Sequence, residues 1–120
     1  MRLRTYFSPA YAPACVPSLA RLAVAAGELQ RLGLVDLREP QAVDAPALAG
    51  LHDDAYLSAF LDGREPLASS QGIAWSPSLR DATLAMLGGQ LEAARHALSH
   101  GVAMNLARGF HHAVPARGSG

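Results

Sequence analysis

Five histidines carry most of the chemistry that this 120-residue chain could perform near neutral pH. His111 and His112 are adjacent, with Gly109 just before them and Gly118-Ser119-Gly120 soon after. On a regular strand, neighbouring side chains point to opposite faces. In a turn both rings can converge on one reacting group, one as base and the other as acid, because an imidazole titrates near pH ~6.5. His96 and His100 are four apart and share a face of any helix that carries them. That spacing suits a metal ion, but the His-Glu-x-x-His pattern is absent and no third ligand is evident. The pair is therefore expected to serve as partners of a helix C-terminus, where positive charge is favoured. His52 precedes Asp53-Asp54 and reads as a capping or local hydrogen-bonding residue.

Composition excludes several function classes. Ten Arg balance ten Asp plus Glu, and there is no Lys. The chain therefore has no lysine nucleophile. It also lacks the clustered cations that grip several phosphates at once, so no nucleic-acid partner is expected. Half the residues are hydrophobic and 17% are charged, a balance that favours folding over disorder. One cysteine, Cys15, rules out an internal disulfide framework and reads as a small buried residue. No apolar run approaches the ~18 residues of a membrane span, and the first residues lack the apolar core of a secretory signal. The expectation is a soluble, cytoplasmic protein with no membrane partner.

The elements that must position these side chains follow from periodicity and punctuation. Leu3 to Phe7 reads as an opening strand closed by Ser8-Pro9. Ser18 reads as the N-cap of a helix whose apolar face is Leu19, Leu22, Ala26 and Leu29, ended by Gly33. Leu34 to Leu37 is a second strand. Asp44 opens a short turn of helix, and Asp53 or Asp54 opens another, with Tyr56, Leu57, Phe60 and Leu61 on its inner side and Gly63 at its end. Residues 63–74 read as loop. Ser76-Pro77 puts Pro where a first helical turn tolerates it, and Ser78-x-x-Asp81 resembles a capping box. Leu84, Leu87, Leu91, Ala94 and Leu98 then repeat at three and four, marking a long helix stopped by Gly101. Gly88-Gly89 inside it costs roughly 1 kcal/mol per residue against Ala, so a tight contact is expected there. Val102 to Ala107 reads as the last strand. Strands alternating with helices of this length predict an α/β fold with a parallel sheet.

The same residues, taken in order, resemble the histone deacetylase family. Asn105 to Ala113 followed by Gly118-x-Gly120 resembles the family's Gly-Gly-x-His-His-Ala element. Phe7-Ser8-Pro9-x-Tyr11, Arg21-Leu22, Glu39-Pro40-x-Ala42, Leu51-His52-Asp53-x-x-Tyr56-Leu57, Trp75-Ser76-Pro77 and Gly88-Gly89-x-Leu91-x-Ala93-Ala94 match in sequence order. The combination is similar to bacterial members close to the class IV type, and the likeness spans essentially the whole chain. It implies that residues 1–120 are the N-terminal portion of an arginase/deacetylase-like three-layer fold with a parallel sheet.

The resemblance also implies zinc-dependent hydrolysis of the amide of acetyl-lysine or an acetylated polyamine. On that reading His112 is the main general base and acid, and His111 is its electrostatic partner. Phe110 lines the tunnel for the acylated side chain, and Gly109 lets the backbone approach closely. Two departures stand out. Arg108 occupies the position of the family's second Gly, and Trp75 lies near the place where animal class I enzymes carry a substrate-gripping Asp, although Trp is what the class IV-like resemblance implies there. The family's zinc ligands, an Asp-x-His pair and a second Asp, lie well beyond the His-His element, and no Asp-x-His occurs here. Zinc is thus expected in the full family domain and no metal ligand in this chain, which is expected to be inactive alone. The competing expectation is a non-catalytic remnant or interaction module of the same fold, associating with itself through an exposed sheet edge.

Overall fold

The computed structural model describes residues 1–109 and 114–119. Three strands, β1 (Leu3–Tyr6), β2 (Val35–Arg38) and β3 (Met104–Asn105), and three helices, α1 (Pro17–Arg31), α2 (Asp54–Asp62) and α3 (Pro77–His100), carry the architecture. The strands form one parallel sheet in the order β2-β1-β3. Leu3 pairs with Val35 and Tyr6 with Arg38 on one side of β1. Thr5 pairs with Met104 and Tyr6 with Asn105 on the other. The expected α/β class with a parallel sheet is therefore present. All three strands end at the same edge, which is where such sheets gather functional groups.

The chain divides into two units. The first comprises residues 1–43 and 81–108 and holds the sheet, α1 and most of α3. Its buried residues include Thr5, Tyr6, Tyr11, Leu19, Ala26 and Val35, with Ala82, Ala85, Met86 and Ala93 from α3. The second comprises residues 44–80 and 109–120 and holds α2 with its flanking turns. Ala59, Phe60, Ala68, Gln71 and Leu79 are buried in it.

Several local expectations are corrected. Helix α1 starts at Pro17, with Val16 in extended conformation at the N-cap and no side-chain cap. Proline fixes φ for a first helical position, so Pro17 takes the start and Ser18 lies inside the helix. Helix α3 is capped by Ser76, whose Oγ accepts the Leu79 N–H at 3.0 Å, rather than by Ser78. Pro77 occupies the first helical position, in the first turn where the sequence placed it. Neither Asp44 nor Asp53 uses its side chain as a cap, although each stands at the cap position. The segment from Asp44 forms a 3-10 turn at Ala45–Leu48. A further 3-10 turn, Leu67–Ser69, interrupts the expected loop. β3 has two residues where six were expected, because only Met104 and Asn105 face β1 in register. Cys15 is exposed in the turn before α1, not buried.

The leucine repeat of α3 is the largest correction. Leu87, Leu91 and Leu98 are exposed, as is Ala94. The covered face carries Ala82, Ala85, Gly89 and Ala93 instead, a second repeat at three and four. Small residues let the helix axis approach its neighbours closely. A Cβ at Gly88 would lie 1.8 Å from the Gln41 carbonyl oxygen, and one at Gly89 1.8 Å from Tyr11 Oη. The tight contact expected at Gly88-Gly89 is thus made with the segment after β2 and with the turn after β1. α2 keeps its expected inner residues half-buried or buried and ends on Gly63, in the left-handed region at φ 76°.

Candidate functional site

At the C-terminal edge of the sheet, each strand leads into a segment pinned by polar contacts. After β1, the Ser8 hydroxyl accepts the Ala10 N–H at 3.2 Å and donates to Glu39 Oε1 at 2.9 Å. This joins the turn after β1 to the turn after β2. The Gln41 N–H donates to Glu92 Oε1 at 2.8 Å, so the Glu39-Pro40-Gln41 segment is also fixed to α3. Phe7 stacks edge-on against Tyr11, with centroids 5.5 Å apart at 74°.

Asn105, the last residue of β3, is held from two sides. Its Oδ1 accepts from Tyr11 Oη at 2.8 Å, and its Nδ2 donates to the Met86 carbonyl at 2.9 Å. Gly89 makes room for both groups, since a Cβ there would also lie 2.5 Å from Asn105 Oδ1. Tyr11 has no exposed surface, and burial pushes its phenol well above the usual tyrosine range, with the Glu92 carboxylate adding to the effect. Near neutral pH the phenol is therefore held in its neutral, donating form. The Leu106 N–H continues to the Tyr6 carbonyl at 2.9 Å, which fixes the direction in which the chain leaves β3.

The residues singled out for catalysis follow directly. His111, His112 and Phe110 lie outside the described residues, as do Ala113 and Gly120. Gly109 is described: it is exposed, and a Cβ on it would meet nothing within 4 Å. Among the described residues, then, nothing crowds Gly109. Arg108, the departure from the family pattern, is exposed beside it.

The second unit surrounds Gly118 with polar groups. The Gly118 N–H donates to Ser70 Oγ at 2.8 Å. A Cβ on Gly118 would lie 2.9 Å from Gln71 Cβ and 3.0 Å from Tyr56 Oη, so only glycine fits. Burial raises the Tyr56 phenol, and a hydrogen bond with Ser70 works the other way. The His52 ring meets Tyr56 edge-on at 5.3 Å, and the Asp53 N–H donates to the Pro115 carbonyl at 2.9 Å. Among the described residues, His52 Nδ1 and Gln71 Oε1 are buried without a hydrogen-bond partner. The expected capping role of His52 is therefore replaced by ring packing. Trp75 lies across Gly63, and its indole N–H donates to the Phe60 carbonyl at 2.6 Å. Its position is thus accounted for by packing at the end of α2.

Sequence reasoning missed Asn105 and Tyr11 as a coupled pair, although both stand in the quoted motifs. The signal was the Gly88-Gly89 pair, which marks a close approach without naming what approaches. Among the described residues, no group of three or more His, Cys, Asp or Glu is placed to hold a metal ion. Among them, too, no helix is long and apolar enough to cross a membrane.

No family model matches the chain. Over 84 residues, 68% of its length, it is 39% identical to an uncharacterized protein from Picosynechococcus sp.. The chain spans 28% of that protein's length.

Proposed function

We propose that the chain is the N-terminal portion of a zinc-dependent deacetylase of the histone deacetylase family, built on an arginase/deacetylase-like three-layer fold. The observation that carries this reading is the anchoring of β3. A parallel strand ends at Asn105 on the same edge where β1 and β2 end, held by Tyr11 and α3, and in the sequence His111 follows six residues later. The quoted family elements supply that anchoring: Tyr11 from the opening turn, Gly89 from the glycine pair, and Asn105 from the start of the His-His segment.

On this reading the substrate is an acetylated amine, either acetyl-lysine or an acetylated polyamine. His112 accepts the proton of the attacking water and returns one to the leaving amine. His111 stabilises the charge that develops beside it. Gly109 leaves space for the acylated chain, with Phe110 as its apolar wall. Zinc in such an enzyme acidifies the water and polarises the carbonyl. This chain carries no Asp-x-His element, so the residues that would hold zinc are expected elsewhere in the longer protein, and none of these proton movements is routed through the metal. Catalysis then belongs to the longer protein or a reconstituted complex, and the setting proposed for it is the cytoplasm.

A second reading is favoured by one observation. Leu87, Leu91 and Leu98 leave an apolar stripe on α3 uncovered, and among the described residues β2 and β3 are outer strands of the sheet. A non-catalytic module of the same fold, self-associating through its sheet edge, would also present such surfaces. The test separates the two. The coding sequence downstream of Gly120 is searched for an Asp-x-His element, and the protein that carries it is assayed on an acetyl-lysine peptide. Turnover that His112→Ala abolishes supports the enzyme; equal turnover by variant and parent sinks it.

A further inference from the structure

The opposite, N-terminal edge of the sheet gathers cations that the proposed chemistry does not use. The last turns of α3 close an open groove of about 450 Å³ whose lining includes Arg2, Arg4, Asp36, His96 and His100. Arg2 stands just before β1 and Arg4 within it, two residues apart, so both side chains take one face of the extended chain. Among the described residues, Asp36 is the one carboxylate of the lining. Its Oδ2 already accepts from Arg4 Nε at 2.9 Å, and from Arg38 Nε at 3.3 Å and Nη2 at 3.2 Å. Two guanidinium groups on one carboxylate leave a positive charge over. Arg2 adds another, and among the described residues no ion pair reaches it. The groove therefore carries an excess of positive charge that calls for an anion.

We propose that this groove binds one small phosphate dianion, as inorganic phosphate or as the phosphate group of a monoester. Arg4 is the oriented donor. Asp36 holds its Nε, and the Tyr6 hydroxyl bonds the same guanidinium. These contacts fix the planar fork without using all of its N–H donors, and such a fork matches phosphate oxygens two at a time. Arg2 adds a second cation from the mouth of the groove, where it is exposed. His100 Nδ1 lies 3.1 Å from the His96 carbonyl oxygen, so a proton there satisfies the carbonyl and a second one falls on Nε2. A nearby anion favours that charged form. Leu34 and Val102, both exposed, give the groove an apolar wall for the organic part of a monoester. One effect opposes binding: a helix C-terminus carries roughly half a negative charge. Two of the last carbonyls of α3 are occupied, that of His96 by His100 and that of Ala97 by the Gly101 N–H at 2.7 Å. The excess guanidinium charge outweighs what remains. Two guanidinium groups suffice for one phosphate and not for the several that a nucleic acid presents.

The full 120-residue chain is titrated by calorimetry with inorganic phosphate and, separately, with phenyl phosphate, at neutral pH and constant ionic strength. One saturable site per chain is expected, weakening as sodium chloride is raised. Equal affinities assign the site to free phosphate. Tighter binding of phenyl phosphate assigns it to a monoester that lies on Leu34 and Val102. Arg4→Gln should weaken binding roughly ten-fold, the worth of a charge-assisted hydrogen bond. Arg2→Gln, at an exposed position, should weaken it about three-fold. Arg31→Gln, which removes a cation paired with Glu28 on α1, should leave it unchanged. Arg4→Gln also breaks the pair with Asp36, so circular dichroism checks its fold; Arg2→Gln breaks no pair and carries the test by itself if Arg4→Gln unfolds. Phosphate should also shift the NMR signals of His96 and His100 before those of His52. Binding that does not saturate overturns the proposal, as does affinity that Arg2→Gln leaves unchanged or that Arg31→Gln lowers equally.

Discussion

The Tyr11 hydroxyl donates to Asn105 Oδ1 across 94 positions of sequence, and so ties the turn after β1 to the end of β3. Tyr11→Phe removes the donor and leaves the Asn105 oxygen without it in a largely enclosed place. Losing one partner of such a bond costs about 1–3 kcal/mol. Because Asn105 is only half-buried, water replaces part of the loss, and the lower end of that range is expected. Urea unfolding measures the loss. A double-mutant cycle with Asn105→Ala should show coupling between the two positions, and strict additivity would show that the bond is not an energetic link.

The same phenol makes the first unit sensitive to alkali. Its folded-state pKa lies above the unfolded value of ~10 because burial, and then Glu92, disfavour the phenolate. The neutral phenol is the form that fits the fold. Its contribution to stability is therefore fully present below about pH 10 and is lost as pH rises from there toward the folded value. In a Tyr56→Phe background, absorbance at alkaline pH should show one tyrosine that ionises only as the structure unfolds. Glu92→Gln should bring that ionisation down. If all tyrosines titrate normally in the folded chain, the Tyr11 phenol is not enclosed as described.

Three helix glycines should respond to alanine in two directions. In open helix, Gly→Ala stabilises by roughly 0.5–1 kcal/mol. Gly27 in α1 is exposed, with nothing within 4 Å of an added Cβ, so Gly27→Ala should raise the unfolding midpoint. Gly88 and Gly89 each face an atom at 1.8 Å, so the added methyl displaces a backbone carbonyl in one case and the Tyr11–Asn105 pair in the other. Overpacking of that kind costs about 1–3 kcal/mol and outweighs the gain in propensity. Thermal unfolding of the three variants checks the signs.

These glycines also show how far the sequence could be read. The order of elements and the parallel sheet were legible, because strand and helix periods alternate and because proline and glycine mark the breaks. The covered face of α3 was not. Leucines at three and four announce an apolar stripe, but Ala82, Ala85, Gly89 and Ala93 form an equally regular one, and it is the small residues that allow close approach. Periodicity gives a face, whereas tertiary contact decides which face is covered. The start of α1 was misplaced for a related reason: Ser18 offers a capping oxygen, but Pro17 fixes the backbone one residue earlier. At the candidate site, the histidine pair stood out by residue type. The Tyr11–Asn105 anchor could not, since nothing local links residues so far apart in sequence.

The two serines that flank Pro77 should differ in worth. Ser76 caps α3 through the Leu79 N–H, whereas Ser78 sits one residue inside the helix start and is exposed. Loss of an N-cap costs about 0.5–2 kcal/mol. Ser76→Ala should therefore destabilise by about 1 kcal/mol, and Ser78→Ala should leave stability nearly unchanged. Equal effects in urea would return the cap to Ser78.

The His96 and His100 rings stack face to face, with centroids 4.1 Å apart and planes within 6°, and the pair predicts its own acid response. His96 is held below the ordinary histidine range by burial first, then by the charge on His100 and on Arg4, while Asp36 pulls the other way. These groups face it from α3, β1 and β2. Because the folded value lies below the unfolded value of ~6.5, the neutral ring is the form that fits the fold. Its contribution to stability is complete above about pH 6.5 and declines as pH falls through the folded value. NMR titration of the imidazole protons should place the His96 midpoint below that of a histidine in an unfolded reference peptide. His100→Ala should raise the His96 midpoint by removing a neighbouring positive charge and opening the ring to water. Asp36→Asn should lower it by removing the one favourable charge. A midpoint unmoved by either change would show that the two rings do not share one electrostatic site, and the stack would then be an accident of helix spacing.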